Sequence, residues 1–244
     1  MPTPGLVVLT REPNDNRVLA ERLSRRGIRV LEYPCLETVL IPYAGEPSSR
    51  GESWEEVQAV AFTSRRGVPG LMPMAERIRR GGLLLAAVGE GTRQAVQEAF
   101  GRPCDTVGDP PTGGGLARML SRALPPGALV FHACGSLALP DLARGLEAAG
   151  VRVWEQVVYE TRRPRLEPLA LPEPALLVFA SPSAVDAFWD ANPAHERFAG
   201  CLAIGPTTAA RLAERGCRAV FLAADPSPEA LAVKMETLLF SEDW

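Results

Sequence analysis

The sequence predicts an α/β protein of two parallel-sheet domains, one of them discontinuous, joined by a two-stranded connector. Three observations predict it. First, short apolar runs (LVVL, AVAF, LLAAV, ALVF, LLVFA and CLAI) each lead into a turn rich in Thr, Ser, Gly or Pro, then into an amphipathic stretch. Near-continuous apolar strands alternating with helices belong to parallel sheets covered on both faces. Second, LAERLSRRGIRVLEYPCLET (Leu19 to Thr38) nearly recurs as LARGLEAAGVRVWEQVVYET (Leu142 to Thr161), at a constant offset of 123. Third, VAFTSRRGV matches LVFASPSAV, VGEGTRQAV matches IGPTTAARL, and TGGGLARML matches SPEALAVKM, all at offsets of 115 to 117.

The order of these units carries the domain organisation. In the middle of the chain they run FTS, AVG, then LARGLEAAG. At the ends LAERLSRRG comes first, and FAS and AIG come last. One set is a circular permutation of the other. The sequence therefore predicts one domain from residues 1–36 and 167–244, an inserted domain from 47–156, and connectors at 37–46 and 157–166. Val18, Leu19 and Leu23 mark one apolar helical face, as do Leu142 and Leu146. Gly27, Gly101, Gly150 and Gly216 stand where helices should end in left-handed caps.

Composition narrows the function classes. With 46 % apolar and 23 % charged residues, the 244-residue chain reads as a soluble globular protein. It has no apolar run of the roughly 18 residues that a membrane span requires, and MPTPGLVVLT lacks a signal peptide's layout. Five cysteines without CxxC spacing suggest reduced thiols and a cytoplasmic location. The net charge of −3 and scattered arginines give no nucleic-acid face. The expectation is a monomer acting on a small molecule, with neither nucleic acid nor membrane as partner.

Ligands of open parallel sheets bind beyond the carboxyl ends of the strands, where helix N-termini favour anions. The turns expected there are Thr10-Arg11, Thr63-Ser64-Arg65, Gly89-Glu90-Gly91-Thr92, His132-Ala133-Cys134-Gly135, Ser181-Pro182-Ser183 and Gly205-Pro206-Thr207-Thr208. Helix capping alone accounts for any one of these hydroxyls, but their recurrence in both repeats points to a ligand. Gly89-Glu90-Gly91-Thr92 lacks the third glycine of a dinucleotide fingerprint. His132 and His195 are not spaced as zinc ligands, His195 falls in a polar loop, and the spacing nominates no Ser-His-Asp or Cys-His set. Tyr159 sits at the start of the second connector, either as a packed aromatic or facing a ligand. Arg162, Arg163 and Arg165 after it read as a solvated charge run.

Taken together, TR after the first strand, FTSxxGV, VGxGT, the VxVxxxxVYxT segment ending at Tyr159, the SPSAV turn and IGPTTAxxL resemble the uroporphyrinogen-III synthase family over nearly the whole chain. The resemblance implies two Rossmann/flavodoxin-like parallel-sheet domains on a two-stranded connector. It also implies cyclisation of hydroxymethylbilane, a linear tetrapyrrole with eight carboxylates, to uroporphyrinogen III with inversion of the last ring and no cofactor. In the implied mechanism the hydroxyl leaves, the substituted carbon of the far ring attacks, and a spiro intermediate reopens and recloses. Carried over by motif, Tyr159 assists the departing hydroxide. Thr10, Arg11, Thr63, Ser64, Arg65, Gly89, Thr92, Ser181, Ser183, Gly205, Thr207 and Thr208 bind substrate. Many relatives carry an Arg-Gly-like turn where this chain has His132 to Ser136, so backbone N–H groups are expected to bind more of the carboxylates there. The alternatives are a non-catalytic two-domain small-molecule sensor and a nucleotide-sugar enzyme, the latter disfavoured by the missing glycine fingerprint.

Overall fold

A computed structural model describes residues 5–170, 175–193, 200–217 and 219–240. The chain divides into two compact units, residues 1–37 with 162–244 and residues 38–161.

In the first unit five parallel strands are ordered β2 (Arg29–Glu32), β1 (Leu6–Leu9), β9 (Ala175–Phe179), β10 (Gly200–Ala203) and β11 (Val220–Leu222). β1 shows why its run is apolar throughout. Leu6 and Val8 join Phe179, Phe188 and Leu212 beneath α6 (Pro182–Ala191) and α7 (Pro206–Glu214). Val7 and Leu9 join Leu19, Leu23 and Met235 beneath α1 (Pro13–Arg25) and α8 (Pro228–Phe240). Burial on both faces leaves no polar position to alternate with. On α1 the buried face is Leu19 and Leu23, while Val18 is 43 % exposed. The apolar run of the sequence is thus one residue wider than the stripe. Arg26 ties α1 to α8 through Glu229 at 2.7 Å and Glu236 at 3.0 Å.

The second unit orders its strands β3 (Glu37–Leu40), β8 (Arg152–Arg162), β7 (Leu129–Gly135), β4 (Val57–Phe62), β5 (Leu84–Ala87) and β6 (Thr106–Val107). The pairs from β8 to β6 are parallel. One face carries Phe62, Leu71, Ile78, Val96, Phe100, Phe131 and Trp154 beneath α2 (Ala75–Arg79) and α3 (Glu90–Phe100). The other carries Ala59, Ala61, Ala86 and Val130 beneath α4 (Gly113–Ala123) and α5 (Asp141–Ala148). Set side by side, the two orders β2-β1-β9-β10-β11 and β8-β7-β4-β5-β6 correspond strand for strand. The permuted repeats therefore build the same sheet from a different starting point. Numbered within each unit, they are the flavodoxin-like 2-1-3-4-5 and the Rossmann-like 5-4-1-2-3 orders.

Gly27, Gly101, Gly150 and Gly216 all have φ between 66° and 81°, the left-handed conformation expected at helix ends. One expected turn is not a turn. His132 to Gly135 lie within β7, because parallel pairing with β8 continues to Gly135↔Tyr159, and the chain turns only from Ser136. His195 lies outside the described residues.

The apposition of α4 and α5 depends on Gly145, where an added Cβ would fall 2.6 Å from the Ala117 Cβ. Gly145→Val is expected to push these helices apart and destabilise the protein by about 1–3 kcal/mol, the usual cost of overpacking. Urea unfolding checks this, and a midpoint equal to the parent's would contradict the close apposition.

Candidate functional site

In a doubly wound sheet the strand order reverses at one point, and there the chains leave adjacent strands in opposite directions and open a crevice. In the second unit that point lies between β4 and β7. A cavity of about 370 Å³ opens there, lined by Thr63 and Ser64 after β4, Val88 after β5, Thr112 and Gly113 at the start of α4, Gly135 at the end of β7, Leu137 to Leu139 after it, Asp141 at the start of α5, and Tyr159 and Thr161 of β8.

Several local features shape it. Ser64 caps a 3₁₀ turn by accepting from the Arg66 N–H at 3.2 Å. Thr112 caps α4 by accepting from the Gly115 N–H at 3.1 Å. Leu137 and Leu139 stand at the rim, 76 % and 74 % exposed, an unusual place for large aliphatic side chains. The Tyr159 ring lies over Gly135, where a Cβ would come within 2.7 Å of its Cε2 and hydroxyl oxygen. Glycine at 135 is therefore what leaves space for the ring. The other two tyrosines use their hydroxyls locally: Tyr33 donates to the Glu167 carbonyl and Tyr43 to the Glu46 carbonyl, each at 2.7 Å. Burial pushes the Tyr43 phenol up to about 12.

Behind the cavity runs a hydrogen-bonded line across three strands. Thr63 Oγ1 lies 2.9 Å from His132 Nε2, and His132 Nδ1 lies 3.2 Å from Glu155 Oε1. His132 is wholly buried. The sequence nominated no hydroxyl–His–carboxylate set, since these residues stand far apart in the chain and only the register of β4, β7 and β8 unites them. Beside the line, burial pushes the Cys134 thiol up to about 12, so it stays a thiol at neutral pH.

The other expected site residues sit as follows. Gly89 caps α3, and Thr92 in its first turn is buried; neither lines the cavity, nor does the exposed Arg65. The first unit gathers its set at the carboxyl edge of its own sheet. Its reversal point lies between β1 and β9. There Thr10 is buried and donates to the Val178 carbonyl at 2.6 Å, and Arg11 pairs with Asp15 at 3.5 Å. Ser181 caps α6, accepting from the Ala184 N–H, with the Ser183 hydroxyl 3.2 Å away. Gly205 caps α7, with Thr207 exposed and Thr208 buried. Of the arginines after Tyr159, Arg163 pairs with Asp190 at 2.9 Å. Sequence reasoning had Gly135 in an expected turn but passed over Thr112, the two rim leucines and Thr161. The TGGG start of a helix and the final residue of the repeated ET were the available signals.

The hydrogen bond from His132 holds the Glu155 carboxyl below its ordinary 4.5, with burial opposing. A carboxyl depressed in the folded state adds stability that is present above its unfolded value and lost as pH falls through its folded value. Stability should therefore fall more steeply below about pH 4.5 in the parent than in Glu155→Gln. Urea midpoints measured down to pH 3 check this, and parallel curves would contradict the pairing.

Comparison with known proteins agrees with this architecture. The family model described as uroporphyrinogen-III synthase HemD matches residues 17–232. Among solved structures, uroporphyrinogen-III synthetase from Helicobacter pylori is 20 % identical with a TM-score of 0.68, over 97 % of this chain and 100 % of that one. A mutant uroporphyrinogen III synthase from the extremely thermophilic bacterium Thermus thermophilus is 19 % identical with a TM-score of 0.54, over 96 % and 98 %. At such identities these structures speak to the fold, which they share. No curated protein matches. The match to the family model over most of its length shows that the chain belongs to the uroporphyrinogen-III synthase family.

Proposed function

We propose that the chain closes hydroxymethylbilane to uroporphyrinogen III with inversion of the last ring, and that Tyr159 is the hydrogen-bond donor to the departing hydroxide. Family membership over residues 17–232 carries the reaction. The support for Tyr159 is its place in a cavity at the strand-order reversal, with glycine beneath its ring. The C–O bond of the terminal hydroxymethyl group breaks, its electron pair leaves with oxygen, and the pyrrole nitrogen supplies electrons to the exposed carbon. A neutral phenol suits this step, because it donates to developing hydroxide without bringing a charge that competes for the substrate's carboxylates. The substituted carbon of the far ring then attacks. That choice over the open neighbouring carbon is a matter of positioning. Thr63 and Ser64 line the same cavity, and Leu137 and Leu139 offer apolar contact to pyrrole faces. In the first unit, Arg11, Ser181, Ser183, Gly205 and Thr207 stand at a sheet edge suited to carboxylates. Thr10 and Thr208, both buried, support those turns from within.

The chain is further proposed to act as a cytoplasmic monomer that takes only this small molecule, with no nucleic-acid partner. Five free cysteines suit a reducing compartment, and no helix among the described residues is long and apolar enough to cross a membrane.

Purified protein added to fresh hydroxymethylbilane should give the type III isomer after oxidation. Type I alone, at the spontaneous rate, would overturn the reaction. Tyr159→Phe should lower kcat about 10–100-fold, at the low end for general acid assistance because a hydroxymethylpyrrole ionises readily, with KM and Tm near the parent's. Gly135→Ala should lower kcat comparably by displacing the ring. Parent-like turnover by Tyr159→Phe would remove it from the chemistry.

A further inference from the structure

In the line from Thr63 through His132 to Glu155 the direction of each hydrogen bond follows from the tautomer of the imidazole. Glu155, ionised at neutral pH and facing Arg50, is an acceptor only. At 3.2 Å from Glu155 Oε1, the His132 Nδ1 must therefore carry a proton. The ring is wholly buried between β4 and β8. A neutral imidazole has one N–H, so Nε2 is bare and accepts. The proton in the 2.9 Å contact with Thr63 is then the threonine's own. A carboxylate sets the imidazole tautomer in hydrolase triads by the same logic. Here, however, the hydroxyl it orients is held as a ligand and not prepared for attack.

We propose that His132 is a positioning residue that draws the Thr63 hydroxyl proton away from the cavity and turns the oxygen lone pairs into it, making Thr63 an acceptor for a pyrrole N–H of the substrate. This rests on the reading that the cavity receives the tetrapyrrole. A lone pair aimed at a carboxylate repels it, whereas the four pyrrole N–H groups are the donors of this substrate along its spine. Thr63 thereby selects a ring and not a side chain, in the cavity that also holds Tyr159.

The chain has two histidines, so ¹⁵N-histidine NMR of the ligand-free protein shows two rings, and His132→Gln identifies the buried one. At pH 7 the expected His132 spectrum has a protonated Nδ1 and a bare, pyridine-like Nε2. A proton on Nε2, alone or with Nδ1, would overturn the inference. For turnover, Thr63→Val should lower kcat/KM about 5–10-fold, the usual worth of one hydrogen bond, mainly through KM. Thr63→Ser should restore it. His132→Phe should cause a similar loss, and the double variant Thr63→Val with His132→Phe should be no worse than Thr63→Val alone, because both changes remove one interaction. Additive losses would overturn the coupling. If His132→Phe does not fold, the parent's tautomer still decides. Type I product from the parent would bring down the functional reading, and the pyrrole partner with it. A reversed tautomer with type III product intact would overturn only the role of His132.

Discussion

Parallel pairing of β4 with β7 is the constraint on which the candidate site depends. Neighbouring parallel strands end at the same edge, so each strand contributes its following turn to one place. β4 is followed by β5 on one side and β7 by β8 on the other, so the chain leaves these two strands in opposite directions. The register then does the finer work. Ala61↔His132 on one side and His132↔Glu155 on the other bring Thr63, His132 and Glu155 into one line across the sheet. The shift between Cys134 and Gly135 brings Gly135 opposite Tyr159. A slip of either pairing would separate the phenol, the threonine and the imidazole together.

Much of the fold was legible because both faces of each sheet are covered. β1, β4, β5, β7, β9 and β10 read as apolar runs since every residue along most of each strand is buried. The edge strands were not legible. β2, β6 and β11 are two to four residues long and half-exposed, so each offers too few residues to show a pattern. The repeat supplied what local patterns did not, since a permuted order of units already encodes a strand order.

At the site, hydroxyl-rich turns were visible as a class, but their individual duties were not. Thr10 and Thr63 follow comparable apolar strands, yet Thr10 donates to a carbonyl of its own sheet and Thr63 meets a histidine and a cavity. What separates them is the residue on the neighbouring strand, Val178 in one case and His132 in the other. Strand neighbours far apart in sequence leave no local trace. The extent of β7 escapes local reading for a related reason: His132, Cys134 and Gly135 look like turn residues, and only pairing with β8 keeps them in the strand.

The permuted architecture also divides the labour of folding unevenly in time. Residues 38–161 form one unbroken stretch, so that unit has all its strands as soon as Thr161 has been made. The first unit has no such privilege. Val7 pairs with Leu176, about 170 residues further along the chain. At ribosomal rates of roughly 5–20 residues per second, β1 and β2 wait on the order of ten to thirty seconds for their central partner. During that interval LVVL has only β2 on one edge and α1 on one face, and its other edge and face stay open until β9 and then α6 arrive. The nascent chain thus completes its middle before its beginning.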